Sequence, residues 1–196
     1  MKKIGLTGGI GSGKTVIANI FEKDGFPVYF ADLESKKITA SSMQVREKLA
    51  GKFGESLYEG GALDKKLLAS LIFDNKENFD FVNSVIHPFV FEDFQLWADK
   101  QVDAVSPIVV ESAILFESGF NKYVDFVVNV SAPESVRVQR VLERDDLSRE
   151  EILSRMRNQL ADEEREQLAD YTIINDGCLA LLPQVKELVK KLKVLS

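Results

Sequence analysis

Residues 3–21 read Lys-Ile-Gly-Leu-Thr-Gly-Gly-Ile-Gly-Ser-Gly-Lys-Thr-Val-Ile-Ala-Asn-Ile-Phe. Within them Gly8-Gly9-Ile10-Gly11-Ser12-Gly13-Lys14-Thr15 matches in full the pattern Gly, four free positions, Gly, Lys, then Ser or Thr. Lys3 to Thr7 predicts a short apolar strand and Val16 to Phe21 a helix, which is the context a phosphate-binding loop requires. The glycines let successive amides curl around an anion, and the helix turns its positive end toward it. In that arrangement Lys14 reaches the β- and γ-phosphates of ATP, the Thr15 hydroxyl holds Mg2+, and Val16 opens the helix behind them. The alternative, a glycine-rich turn that binds nothing, leaves the agreement of strand, spacing, Lys-Thr pair and helix unexplained.

Outward from this loop, four further runs rich in Val and Ile predict strands: Pro27 to Phe30, Ile108 to Val110, Asp125 to Val130 and Tyr171 to Ile174. Nearly continuous apolar runs separated by helical segments predict an α/β fold, a five-stranded parallel sheet flanked by helices. Ser131 to Glu134 and Ser148 to Glu151 both carry a capping-box pattern, and Leu179 to Leu192 predicts a closing amphipathic helix. The interval from Phe30 to Ile108 is too long for one crossover. Its Leu63, Leu67, Leu68, Leu71 and Ile72, and then Phe79, Val82, Val85 and Ile86, fall at helical spacing. His87-Pro88 reads as a break before a second helical run through Phe94 and Trp97. The expected organisation is a nucleotide-binding core of residues 1–31, 105–136 and 166–196, a helical insert of residues 32–104, and a helical lid of residues 137–165. The insert reads either as a substrate-binding subdomain or as an extra helical layer that only stabilises the core.

At 196 residues with 45% hydrophobic and 29% charged residues, the composition is that of a globular protein with a substantial core. The net charge of −6 supplies no overall basic field, so no nucleic-acid partner is expected and a polyanion must be held by local groups. Met1-Lys2-Lys3 is followed by too few apolar residues for a signal peptide or membrane span, so a cytoplasmic protein without a membrane partner is expected, most simply a monomer. The single Cys178 excludes an internal disulfide and a cysteine-rich metal site and is expected as a small buried residue.

Ligands of an open parallel sheet gather beyond the carboxyl ends of its strands. Asp32 follows the second strand, where it suits either a base that takes the proton of an attacking hydroxyl or an N-cap for the helix from Leu33. Glu111, ending the third strand, is either the carboxylate near the metal or an ordinary exposed acid. Glu117 is a candidate for ordering a substrate-facing loop. Arg137, Arg140 and Arg144 form one cationic stripe at helical spacing. Their repulsion is relieved either by Glu134, Glu143 or Asp145, or by a triphosphate with one arginine spreading the charge that develops in transfer. Arg155 and Gln159 continue a polar face, and the helical hairpin they belong to suits a lid that expels water. His87, the only histidine, reads as structural or substrate-contacting.

Taken together, these residues resemble the dephospho-coenzyme A kinase family nearly end to end. The opening Ile4 to Thr15, with Thr-Gly-Gly-Ile-Gly at the loop, is similar to that family's start. Ala31-Asp32 resembles its acidic motif, His87-Pro88 its His-Pro pair and Ile114-Leu115-Phe116-Glu117 its Leu-Leu-Phe-Glu segment. Arg140 and Arg144-Asp145 resemble its lid arginines, and Ile174-Asn175-Asp176-Gly177 its late turn near the adenine. The resemblance implies transfer of the ATP γ-phosphate to the ribose 3′-hydroxyl of dephospho-coenzyme A with Mg2+. The expected roles are then Asp32, Lys14 and Arg140 as catalytic, the loop through Val16 with Arg144, Asn175 and Gly177 beside ATP, and Asp32, His87, Glu117 and Arg155 beside the acceptor, with Thr15 and Glu111 at the metal. Two positions depart from the family pattern. Phe30 stands where an acid is common, and Glu111-Ser112-Ala113 replaces Asp, an aliphatic residue and Pro. Rival readings are a kinase of the same fold acting on a nucleoside or other small acceptor, and a nucleotide-driven switch or ATPase.

Overall fold

The computed structural model describes residues 1–73, 75–101 and 106–194. Strands β1 (Lys3–Gly8), β2 (Val28–Phe30), β3 (Ile108–Glu111), β4 (Phe126–Ser131) and β5 (Tyr171–Ile174) form one parallel sheet in the order β2-β3-β1-β4-β5. The helices are α1 (Lys14–Lys23), α2 (Ala31–Ser41), α3 (Met43–Phe53), α4 (Lys65–Ile72), α5 (Lys76–Asp99), α6 (Glu134–Arg144), α7 (Arg149–Arg157), α8 (Asp162–Leu168) and α9 (Leu181–Val194). All five expected strands are present, with ends shifted by at most one residue. The strand β3 gains Glu111 because its backbone stays laddered opposite Leu6 on one side and Phe30 on the other.

Contacts sort the chain into two units, Met1–Phe30 with Trp97–Ser196, and Ala31–Leu96. In the first, β1 is central, with β3 and β2 on one side and β4 and β5 on the other, so the ligand crevice of such a sheet lies at the carboxyl end of β1. Its strands carry apolar residues on both faces because helices and loops cover both, and Ile4, Leu6, Val109, Val128, Val130 and Ile173 are buried from solvent. Ile17, Ala18 and Phe21, one turn apart on α1, and Val185, Leu188 and Leu192 on α9 close one face. On the other face Gly5 admits the chain that follows β3. A Cβ at Gly5 would stand 2.7 Å from Leu115 Cδ2.

The second unit is helical. Asp64 caps α4 through its Oδ1, which accepts from the Lys66 and Leu67 amides at 2.9 Å, and this leaves Leu63 outside the helix. Phe53 meets Phe81 edge-on, and Arg46 and Lys52 lie over the rings of Tyr58 and Phe81. The expected break at His87-Pro88 is absent, and α5 runs through Pro88. Proline removes one helical hydrogen bond, but Val82, Val85, Ile86, Val90 and Phe94 form one buried stripe that continues across it. Burial at each of these positions outweighs one lost bond.

Two further expectations are corrected. Ser131 caps nothing: α6 starts after Pro133 without a side-chain cap, and the Ser131 hydroxyl donates to Glu166 Oε1 at 2.7 Å. The capping box at Ser148 and Glu151 is present with both reciprocal hydrogen bonds. Cys178 is exposed rather than buried. Asp176 Oδ1 accepts from the amides of Cys178 and Leu179, and this turn holds the chain at the surface and delays α9 to Leu181. The expected core boundary at residues 104–105 lies outside the described residues. Among the described residues no helix is long and apolar enough to cross a membrane.

Candidate active site

The strand β1 ends at Gly8, and the chain turns through Gly9–Gly13 into α1. Gly13 occupies the N-cap in the left-handed region (φ 92°), with no side-chain cap and no acid in the first turn. The first amides of α1 therefore lack the usual carboxylate or hydroxyl partner, which is the arrangement that takes an anion. Glycine is required at Gly13 for a second reason. A Cβ there would collide with the Asn175 carboxamide, which donates from Nδ2 to the Ser12 carbonyl at 2.7 Å.

Lys14 is buried in the first turn of α1, with Nζ 3.5 Å from the Gly9 carbonyl oxygen. Ser12 is also buried, and its hydroxyl makes no hydrogen bond. Thr15 and Val16 face outward. At the end of β5, buried Asn175 bonds the loop through Nδ2, and its Oδ1 accepts from Arg140 Nη2 at 3.3 Å. Arg140 Nη1 is buried without a partner. Thus the loop, Asn175 and Arg140 form one connected set, while Gly177 is exposed two residues on.

The expected arginine stripe divides. Arg137 is buried: Nε donates to the Ala132 carbonyl, Nη2 bonds Asp162, and the guanidinium leaves no room for a side chain at Gly9. Arg165, also buried, donates from Nη1 to Asp162 Oδ1 at 2.8 Å and from Nη2 to the Leu160 carbonyl. Asp162 therefore neutralises two guanidiniums behind the loop, a cluster the sequence reading missed. Arg144 is exposed and paired with Asp145 at 2.8 Å, a hydrogen bond that raises its pKa. The repulsion within the stripe is thus met by carboxylates at Arg137 and Arg144. Of the three, only Arg140 has a donor that is both buried and without a partner. Arg155 is exposed on α7; the Glu151 carboxyl is held low first by its hydrogen bonds with Ser148 and, least, by the charge of Arg155.

Glu111 is buried at the carboxyl end of β3, which removes the reading of it as an ordinary exposed acid. Beside it Phe30 packs on the main core, so an apolar ring fills the position where the resemblance leads one to look for an acid. Glu117 Oε1 accepts from the Leu160 amide at 2.6 Å. Gln159 Oε1 accepts from the Ile10 amide and its Nε2 donates to the Ala113 carbonyl, both at 2.8 Å. Asp32 and His87 belong to the second unit. Asp32 lies inside the first turn of α2, which starts at Ala31, so it is not the N-cap of a helix from Leu33. His87 lies within α5, where burial lowers its pKa and leaves it neutral at pH 7.

Removal of Asp162 would strand two buried guanidiniums. Asp162→Ala is expected to lower unfolding free energy by on the order of 3 kcal/mol, read by urea denaturation. An unchanged midpoint would show that the cluster is not held by this carboxylate.

The family described as Dephospho-CoA kinase matches residues 2–180. A dephospho-CoA kinase from Bacteroides fragilis is 46% identical over 187 residues, covering 95% of this chain and 91% of the relative. One from Porphyromonas gingivalis is 41% identical over 198 residues, covering 98% and 95%. Among solved structures, TT1252 from Thermus thermophilus superposes with a TM-score of 0.79 at 31% identity over 98% of this chain and 96% of that one. A shikimate kinase from Acinetobacter baumannii, at 17% identity and a TM-score of 0.54 over 100% of this chain and 92% of that one, shares the fold.

Proposed function

Because the chain belongs to the dephospho-CoA kinase family, we propose that the loop, Asn175 and Arg140 grip ATP and that its γ-phosphate passes to the ribose 3′-hydroxyl of dephospho-CoA, the last step of coenzyme A synthesis. The observation that carries the reading of the site is Arg140. Tied through Asn175 to the Ser12 carbonyl, it keeps a buried donor without a partner. A donor so fixed costs no reorganisation when charge develops on a transferring phosphoryl group.

The α1 amides and Lys14 hold the phosphates, Asp32 takes the hydroxyl proton, and Arg140 spreads the charge of the transition state. Arg144 and Gly177 complete the nucleotide side, while His87, Glu117 and Arg155 serve the acceptor. Residues 32–104 act as the acceptor-binding insert and 137–165 as the lid, in a cytoplasmic monomer. The donor set suits Mg2+: Thr15 and Glu111 offer one hydroxyl and one carboxylate, and the described residues contain no cluster of three or more His, Cys, Asp or Glu able to hold a metal. Mg2+ is commonly held by one or two protein oxygens, with water and substrate phosphates completing its shell. When bound it neutralises charge on the β- and γ-phosphates.

An assay of ADP formation compares dephospho-CoA with adenosine, AMP and CMP. Dephospho-CoA is expected to be the preferred acceptor by at least about 100-fold in kcat/KM, since a site built to bond an acceptor's polar groups rejects analogues lacking them. Equal turnover without any acceptor would favour an ATPase, and preference for a nucleoside or nucleotide would reassign the substrate.

A further inference from the structure

Ile10 sits at the middle of the phosphate loop, and two independent contacts bind it to the helices after β4. Its side chain packs on the small core of Val138, Val141 and Ile152, to which Leu147, Leu153 and Met156 also belong. Its amide is bonded by Gln159 Oε1 at 2.8 Å. The other end of the same carboxamide donates to the Ala113 carbonyl, also at 2.8 Å. Ala113 lies two residues beyond Glu111, on the segment that covers β1. The orientation of the carboxamide is fixed by its partners, because a flip would set donor against donor at Ile10 and acceptor against acceptor at Ala113. The next residue repeats the tie, with the Leu160 amide bonded to Glu117 Oε1.

One side chain therefore joins three segments distant in sequence: the phosphate loop, the chain leaving β3 and the end of α7. None of these contacts is needed to complete a helix or a strand. Gln159 follows the C-cap of α7, and its side chain bonds main-chain groups outside that helix. The part-buried Ile10 amide takes its acceptor from outside the loop, from a flexible side chain held at both ends.

We propose that Gln159 is a positioning residue for phosphoryl transfer, whose carboxamide sets the phosphate loop at Ile10 in register with the segment that leaves Glu111. Gln159 touches neither phosphate nor acceptor and acts through these two main-chain groups. The proposal rests on the reading of the site as a phosphotransferase centre. In-line transfer is sensitive to the distance between the groups holding the phosphates and those facing them, and a displacement near 1 Å costs roughly 100-fold in rate.

The test uses Gln159→Ala, and Gln159→Met, which restores length and volume without either hydrogen bond. Steady-state kinetics with ATP and dephospho-CoA, ADP affinity by titration calorimetry, and thermal unfolding are measured on each. Both variants are expected to lose roughly 10- to 100-fold in kcat, with KM for ATP and ADP affinity within about threefold and the unfolding midpoint preserved. Recovery of kcat in Gln159→Met would show that the side chain only fills space and would overturn the proposal. So would a loss confined to KM, or one that tracks a lowered midpoint. If wild-type protein does not turn over dephospho-CoA, the functional reading fails by itself. The same variants are then scored on acceptor-independent ATP hydrolysis, where unchanged rates overturn the role of Gln159 separately.

Discussion

Replacement of Lys14 by alanine is expected to reduce kcat with dephospho-CoA by on the order of 100- to 1000-fold, the cost of removing one preorganised donor from a developing oxyanion. The mechanism is positional. Lys14 is buried in the first turn of α1 at the start of the amides that face the crevice, and its ammonium is held near the Gly9 carbonyl. It enters the reaction already desolvated and fixed, so its charge acts on the β- and γ-phosphates at little cost in reorganisation. Lys14→Arg restores charge without the compact geometry and is expected to recover little. Circular dichroism and unfolding midpoints should match the wild type, since the apolar anchors of α1 are Ile17, Ala18 and Phe21. Near-normal turnover in a folded Lys14→Ala protein would move the phosphate site away from this loop.

Asp32→Asn is expected to lower kcat by roughly 100- to 10,000-fold with little change in KM, the range for loss of a general base. The substitution keeps shape and removes only the proton acceptor. Asp32 stands two residues beyond the end of β2, inside the first turn of α2. With Phe30 packed on the core at the neighbouring position, no second acid stands there to share the task. Unchanged kcat with a lowered unfolding midpoint would instead make Asp32 a helix-stabilising residue.

The phosphate loop was legible because its signal is local, a run of glycines closed by Lys-Thr between a strand and a helix. The strands were legible because a parallel sheet buries both faces, so Val and Ile follow one another without alternation. Pro88 misled because a local rule met a buried stripe that runs through it, and tertiary packing decided. Cys178 misled because its exposure is set by the Asp176 turn rather than by its own polarity. The cluster of Arg137, Asp162 and Arg165 was out of reach for a different reason. Its members read as solvated charges on separate helices, and only the folded chain brings Asp162 between the two guanidiniums. Gln159 was visible as part of a polar face, but nothing in the sequence indicates that its partners are main-chain groups of Ile10 and Ala113.

The insertion of Ile10 into the core of α6 and α7 bears on how this enzyme can be recombined with its relatives. A chimaera that imports residues 137–165 from another homologue imports half of an apolar joint and leaves the other half in the recipient. The natural exchange unit is discontinuous: such a graft must carry its matching residue 10, or it replaces a fitted apolar contact with a mismatched one.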